Sequence, residues 1–135
     1  MDLLTLDLGV TTGWAWLRIY DPVNRYFTIE NYGDIPVATL LDSLQALTSY
    51  GKPDVVLMEK PLLTHPGPLQ NQLRIAVSAA EIVFPAHEIV TPSQWKPSPY
   101  SSYPLPSGSS QHSRDAVRMG VWWLKSAWVP DTLAT

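Results

Sequence analysis

The stretch LLTLDLGVTTGWAWLRIY, residues 3–20, predicts two β-strands at the start of the chain. Residues 3–8 form a short apolar run closed by Gly9, which is typical of a buried strand. After a turn, the aromatic and β-branched side chains of residues 14–20 favour a second strand. A further turn leads to residues 26–31, which alternate in polarity. Three strands joined by short turns predict an antiparallel meander.

The sequence then changes from a strand period to a helical period. Thr39 followed three residues later by Asp42 is a capping signal, and Gly51 is a typical helix end. The apolar face of this predicted helix consists of Leu40, Leu41, Leu44 and Leu47. Residues 54–59 follow as a strand, and its uninterrupted apolar run is typical of a parallel, buried position.

Residues 69–84 predict a second helix that is apolar on two faces. One face suits packing on the sheet and consists of Leu69, Leu73, Ala76, Ala80 and Val83. The other face carries Ile75, Ala79 and Ile82, which would form an exposed apolar stripe if nothing covered them. The third helix of the same chain or a second copy of the protein could cover this stripe.

The remaining sequence predicts a strand at residues 87–90 and a third helix at residues 111–128. Between them, the segment PSPYSSYPLPSGSS, residues 97–110, is too rich in Pro and Ser for a helix or a core strand. We expect it to be a plain connector, with a loop over a substrate as the alternative. The order β-β-β-α-β-α-β-α predicts one α/β domain, residues 1–135, with a five-stranded mixed sheet that is antiparallel at one edge and parallel at the other.

Composition limits the classes of protein to which the chain can belong. Hydrophobic residues make up 45% of the 135 residues, which is enough for a buried core and excludes a disordered chain. The net charge of −3 excludes the strongly basic surface of a protein that coats DNA. The absence of Cys excludes disulfides and thiolate metal sites. Without an apolar run of membrane-spanning length or a basic signal peptide, we expect a cytoplasmic protein with no membrane partner.

Acidic side chains stand where two predicted strands end. Asp7 lies in one apolar strand and Glu59 closes another. A buried carboxylate is normally paired, protonated or bound to a metal ion, because burying a bare charge is costly. If the two strands are neighbours, the carboxylates repel each other unless a divalent cation joins them. His112 and Asp115 share one face of the third helix, and oxygen ligands with one imidazole suit Mg²⁺ or Mn²⁺.

Each of these residues also has a purely structural interpretation. Asp7 could cap the turn that follows it, and Glu59 could form an exposed ion pair with a nearby lysine. The His and Asp of the third helix could be ordinary residues of a helix N-terminus. One metal-binding cluster explains all four residues together, and we therefore favour it.

Four segments, in order along the chain, resemble the motifs of RuvC-type Holliday junction resolvases in the RNase H-like superfamily. LDLGVTTGWA, residues 6–15, resembles the first motif, and VLMEKP, residues 56–61, resembles the second. TPSQWK, residues 91–96, resembles the segment that carries a Lys, and HSRDA, residues 112–116, resembles the last motif. The ordered set spans about the whole chain, and its compact length is similar to that of versions encoded by bacteriophages.

The resemblance implies an RNase H-like fold and a metal-dependent, structure-selective endonuclease that resolves four-way DNA junctions by paired cuts. The products would carry 5′-phosphate and 3′-hydroxyl ends. It implies two Mg²⁺ or Mn²⁺ ions per site and a homodimer paired through the second helix, in the host cytoplasm if a bacteriophage encodes the chain. The implied catalytic and metal-binding residues are Asp7, Glu59, His112 and Asp115. Candidate DNA contacts are Leu62, at the position of the family's aromatic wedge, and the basic residues Lys60, Arg74, Lys96, Arg114 and Arg118.

Two other function classes fit parts of the sequence. An RNase H-like nuclease that acts on other branched DNA or on structured RNA would use the same four residues. The segment DLGVTTG, residues 7–13, also resembles the phosphate turn of actin-like and sugar-kinase-like ATP-binding proteins. That class requires two such domains around the nucleotide, and 135 residues are too few to supply them.

Overall fold

A five-stranded mixed sheet forms the centre of the computed structural model, which describes residues 1–63 and 67–130. The strands are β1 (Asp2–Asp7), β2 (Thr11–Asp21), β3 (Tyr26–Pro36), β4 (Val55–Glu59) and β5 (Glu88–Ile89). Their spatial order is β3-β2-β1-β4-β5, in which β1 to β3 are antiparallel, and β4 and β5 continue in parallel from β1. The sheet confirms the predicted fold class.

Within the described residues, helices flank both faces of this sheet. They are α1 (Leu40–Thr48), α2 (Pro68–Val83), α3 (Pro92–Trp95) and α4 (Gln111–Trp122). A π-helical turn, Trp123–Ala127, continues α4, so the third predicted helix is regular only over its first part. None of the described helices has the length and apolar character needed to cross a membrane.

Side chains alternate between the two faces of β1, and this alternation creates two cores. Leu4 is buried in a cluster that includes Leu40 of α1 and Ala76 of α2. Leu3, on the opposite face, is buried in a cluster with Val117 of α4. The acidic last residue of β1 has the parity of Leu3 and therefore belongs to the face covered by α4.

The backbone of α4 lies directly against β1 and β2. The hydroxyl of fully buried Thr5 donates a hydrogen bond of 2.7 Å to the carbonyl of Ala116. A Cβ at Gly13 would lie 2.0 Å from the carbonyl oxygen of His112, so only glycine leaves room for the helix there. A Cβ at Gly120 would come within 3.0 Å of the Thr5 methyl carbon. These contacts set the first turn of α4 beside the end of β1.

The β2–β3 hairpin is longer than the sequence predicts. β2 already begins at Thr11, and β3 continues to Pro36 instead of ending at residue 31. The pairing of the two strands shifts register twice, between Trp16 and Leu17 and again near the turn. Such irregularities interrupt the strict alternation by which a strand is recognised in a sequence.

The prediction that Thr39 caps α1 is wrong. Its side chain makes no hydrogen bond to the helix N-terminus. A 3-10 turn, Val37–Thr39, leads straight into the helix, and the Leu40 N–H bonds to the carbonyl of Val37. Because the turn already supplies a backbone acceptor, the Thr39 hydroxyl instead donates to the carbonyl of Pro36, at 3.4 Å.

The two predicted faces of α2 are only partly correct. Leu69, assigned to the sheet-facing side, is 61% exposed, whereas Ala79, assigned to the second stripe, is buried. The helix packs against α1 and turns its small alanines toward the core. Ile75 and Ile82 remain 57% and 67% exposed. Because α4 lies on the other face of the sheet, it does not cover them.

Residues 97–110 are more than a plain connector. They contain the 3-10 turn Pro99–Ser102, contrary to the expectation that the segment excludes helical structure. Three of their side chains pack on the core beneath α4: Tyr100, Tyr103 and Leu105. The Arg114 guanidinium donates two hydrogen bonds, of 3.0 and 2.7 Å, to the carbonyl of Ser109. The segment is therefore anchored to α4 along its length.

Replacing Gly13 by Ala should lower the free energy of unfolding by at least about 2 kcal/mol, because the new methyl group overlaps backbone atoms of α4. Urea unfolding measures this change. Gly33→Ala on β3 is the matched control, since its Cβ would meet the side chain of Trp14 at 3.1 Å, and a side chain can move. Equal losses in the two variants would contradict the role assigned to the close approach of α4.

Candidate active site

Two carboxylates lie side by side at the carboxyl ends of β1 and β4. The parallel pairing places Asp7 opposite Glu59. The pairing continues one residue further, where the Leu8 N–H donates a hydrogen bond of 3.1 Å to the carbonyl of Glu59. The Asp7 side chain is only 15% exposed. The two strands are therefore neighbours, which is the condition under which the sequence predicts that their carboxylates repel each other.

The first turn of α4 brings two more predicted residues to this edge of the sheet. His112 Nδ1 lies 3.8 Å from Asp7 Oδ2, and the His112 side chain is 51% exposed. Asp115 is close enough for its negative charge to act on Asp7. One oxygen of Asp115 accepts a hydrogen bond of 2.8 Å from Gln111 Nε2. Glu59, His112 and Asp115, which were singled out in the sequence, therefore all lie near Asp7.

Ser110 holds the beginning of α4 in place. As the N-cap residue, its hydroxyl oxygen accepts a hydrogen bond of 3.1 Å from the Ser113 N–H. The same hydroxyl donates to Asp34 Oδ1 of β3, at 2.6 Å. This cap ties the helix that carries His112 and Asp115 to the β2–β3 hairpin.

The electrostatics of the site are unfavourable for a bare pair of carboxylates. Burial raises the pKa of Asp7 to about 8, reinforced by a hydrogen bond with Glu59 and by the negative charges of Glu59 and Asp115. The ammonium group of Lys96 acts in the opposite direction and lowers this pKa. Near neutral pH the Asp7 carboxyl of the protein alone therefore retains its proton.

Trp95 is the site residue that the sequence interpretation missed. Its indole N–H donates a hydrogen bond of 2.8 Å to Glu59 Oε1, and the side chain is only 2% exposed. The segment that contains it was singled out for Lys96 alone. A Trp beside a candidate site lysine was a usable signal, because a buried indole N–H needs an acceptor.

Two of the candidate DNA contacts, Lys60 and Leu62, lie beside the site. A cavity of about 450 Å³ opens beside Asp7 and Glu59, and Lys60 and Leu62 line it. Lys60 Nζ is paired with Glu81 Oε1 of α2, at 2.9 Å. Leu62 is 80% exposed.

The arginines differ in their contacts. Arg114 binds the carbonyl of Ser109, as described above, and Arg118 Nε donates 3.1 Å to the carbonyl of Tyr103. Arg74 lies exposed on α2. The structure thus gives Arg114 and Arg118 a structural contact that the sequence did not indicate.

The donor set at this edge consists of carboxylate oxygens and one imidazole, which are ligands that suit Mg²⁺ and Mn²⁺. In residues 1–63 and 67–130 no three His, Asp or Glu side chains are oriented to hold a metal ion as they stand. Two of the carboxylates are engaged instead with Trp95 and Gln111. The crowding of buried negative charge is nevertheless what a divalent cation neutralises.

The raised pKa of Asp7 predicts a pH-dependent loss of stability in the metal-free protein. The folded state holds the proton more tightly than the unfolded state, whose Asp titrates near 3.8. The stabilising contribution is thus complete below about pH 4 and is lost as the pH rises through 8. The free energy of unfolding of Asp7→Asn should therefore exceed that of wild type by a few kcal/mol at pH 9, on the order expected from such a shift. Near pH 4 the two proteins should be equally stable.

Urea unfolding in EDTA at the two pH values measures this difference. Asp42→Asn, at an exposed position on α1, is the control and should change stability little at either pH. A gap between Asp7→Asn and wild type that stayed constant with pH would contradict the assignment.

The sequence of the chain matches no protein-family model and no curated protein. Its fold, however, is shared by known protein structures. The chain is similar to Thermus thermophilus RuvC in complex with a Holliday junction substrate, with a TM-score of 0.67 and 13% identity, over 94% of this chain and 96% of that one. A second Thermus thermophilus RuvC structure gives a TM-score of 0.60 and 14% identity, over 99% and 87% of the two chains. At such identities the likeness concerns the fold, and it confirms that the chain has the RNase H-like fold of RuvC.

Proposed function

We propose that the chain is a metal-dependent endonuclease that resolves four-way DNA junctions. The observation that carries this proposal is the convergence of Asp7, Glu59, His112 and Asp115 at one edge of a sheet with the RuvC fold. The similar RuvC structure contains a Holliday junction substrate. The ordered motifs in the sequence support the same activity.

The four residues would hold two Mg²⁺ or Mn²⁺ ions. The chemistry that such ions would supply when bound is activation of a water molecule and stabilisation of the departing 3′ oxygen, for in-line hydrolysis of a phosphodiester. The side chains contribute negative charge that the ions offset, so that a phosphate group can approach. Asp115 would exchange its hydrogen bond with Gln111 for a ligand role. The products would carry 5′-phosphate and 3′-hydroxyl ends.

Basic residues around the cavity would bind the DNA backbone. Lys60 lines the cavity, and Lys96 lies near enough to act on Asp7. Arg114 and Arg118 bind backbone carbonyls, but a guanidinium has five N–H donors, and those left over can meet phosphate oxygens. Arg74 and the exposed Leu62 complete the proposed contact set.

A homodimer paired through α2 accompanies this activity. Ile75 and Ile82 stand seven residues apart on one helix face, and both are more than half exposed. A two-fold dimer would bury this stripe and present one site to each of two symmetry-related strands of a junction.

The broader expectations stay predictions. These are that residues 1–135 form one nuclease domain and that the protein acts in the cytoplasm, the host's if a bacteriophage encodes it. The ATP-binding alternative is not favoured, since it needs two domains, and the described residues contain one sheet.

Asp7→Asn should lower the rate of junction cleavage by roughly a thousandfold or more while leaving junction binding intact, because it removes a ligand and leaves the packing unchanged. Cleavage of a synthetic four-way junction, a Y-fork, a linear duplex and a structured RNA, each with Mg²⁺ and with Mn²⁺, measures both rate and selectivity. Asp42→Asn should cleave like wild type. A near wild-type rate in Asp7→Asn would overturn the metal-site assignment. Preferred cleavage of the fork or the RNA would favour the alternative nuclease.

Ile82→Glu should make the protein monomeric and abolish paired, symmetric nicking before it affects folding, because a carboxylate would be buried in the dimer contact. Sedimentation at micromolar concentration gives the oligomeric state. Val23→Glu, at a 59% exposed position in the β2–β3 turn, is the matched control and should remain dimeric. A wild-type monomer that still makes paired nicks would contradict the preformed dimer.

A further inference from the structure

One side chain of the site belongs to neither the metal ligands nor the basic residues. Trp95 is almost fully buried, and its indole N–H donates a hydrogen bond of 2.8 Å to Glu59 Oε1. The rest of the indole packs in the core cluster beneath α4, together with Val90 and Leu57. A carboxylate with one oxygen bound to a buried, rigid donor has lost much of its rotational freedom.

The backbone around Trp95 is equally constrained. At the start of α3 the Thr91 N–H donates a hydrogen bond of 2.8 Å to Gln94 Oε1, and the Gln94 N–H donates one of 3.0 Å to the Thr91 carbonyl. Pro92 occupies the first turn. Beyond the helix, the N–H and the hydroxyl of Ser98 both donate to the Trp95 carbonyl, at 3.0 and 2.6 Å. The backbone that carries the indole is thus held from both ends of α3.

We propose that Trp95 is a positioning residue that fixes the Glu59 carboxylate for binding of a divalent cation. This inference rests on the proposed metal-dependent function. Hydrogen bonds to a ligand's side chain restrict its orientation, and their loss typically weakens metal binding by about 10- to 100-fold. Lys96 Nζ also lies 5.6 Å from the centre of the Trp95 ring, so the same residue supports the lysine that acts on Asp7.

Trp95→Phe isolates the hydrogen bond, because Phe keeps an aromatic ring for packing and for the Lys96 contact but has no N–H. The chain offers a matched control in Trp123, which is also buried and donates 3.0 Å to Glu88 Oε2, a carboxylate of β5 outside the site. Trp123→Phe removes the same kind of bond from the same kind of core.

The rise in melting temperature with added Mn²⁺, in the absence of DNA, measures cation binding without any cleavage assay. We expect the Mn²⁺ concentration that gives a fixed rise in melting temperature to increase roughly tenfold in Trp95→Phe and to stay at the wild-type value in Trp123→Phe. In a Glu59→Gln background, Trp95→Phe should have no further effect, since the residue acts through Glu59. A tenfold loss that persisted in that background would overturn the positioning role.

A second measurement covers the case in which Trp95→Phe does not fold. In the wild-type protein, the Trp95 indole N–H resonance should shift more than that of Trp123 during titration with Mg²⁺, and an equal response of the two would overturn the inference. If wild type shows no response to either cation, the proposed function and this inference both fail. If wild type responds and Trp95→Phe responds equally, only the inference fails.

Discussion

The direct contact between the backbone of α4 and the sheet is the constraint on which the candidate site depends. Gly13 leaves the space that the His112 carbonyl occupies, and Thr5 binds the Ala116 carbonyl across a separation of 111 residues. A helix packed through larger side chains would stand further from the sheet. Asp115 would then be carried away from Asp7. Small side chains in the strands are thus what brings the acids of α4 to those of the sheet.

The same close packing makes the site electrostatically costly. Burial and the neighbouring acids raise the pKa of Asp7 to about 8. In the protein alone, this candidate metal ligand therefore holds its proton more tightly than a free Asp side chain does. Strain of this kind is common where function competes with stability. The surrounding contacts restrain the carboxylates on several sides, through Trp95 on Glu59 and Gln111 on Asp115. The arrangement favours a bound cation over a bare cluster of charges.

Alternate residues of β1 face opposite sides of the sheet, and the two sides differ in what they contact. The face with Leu3 and Asp7 meets α4 and carries the candidate chemistry. The face with Leu4 meets α1 and α2 through a buried apolar cluster. On this side the outer surface of α2 still exposes two isoleucines, which is where a second copy of the chain would pack. In the proposed function, catalysis and pairing would therefore use opposite sides of one sheet.

The sequence by itself determined the strand order along the chain, the mixed sheet and the residues Asp7 and Glu59 at its edge, because periodicity and strand ends are local properties of the chain. Only the tertiary structure decided the length of the β2–β3 hairpin, which side chains of α2 are buried, and the anchoring of residues 97–110. It alone also revealed the bond from Trp95 to Glu59 and the fit of Gly13 beneath α4. These features join residues far apart in sequence, and which side chain fills which space is settled by packing of the whole domain.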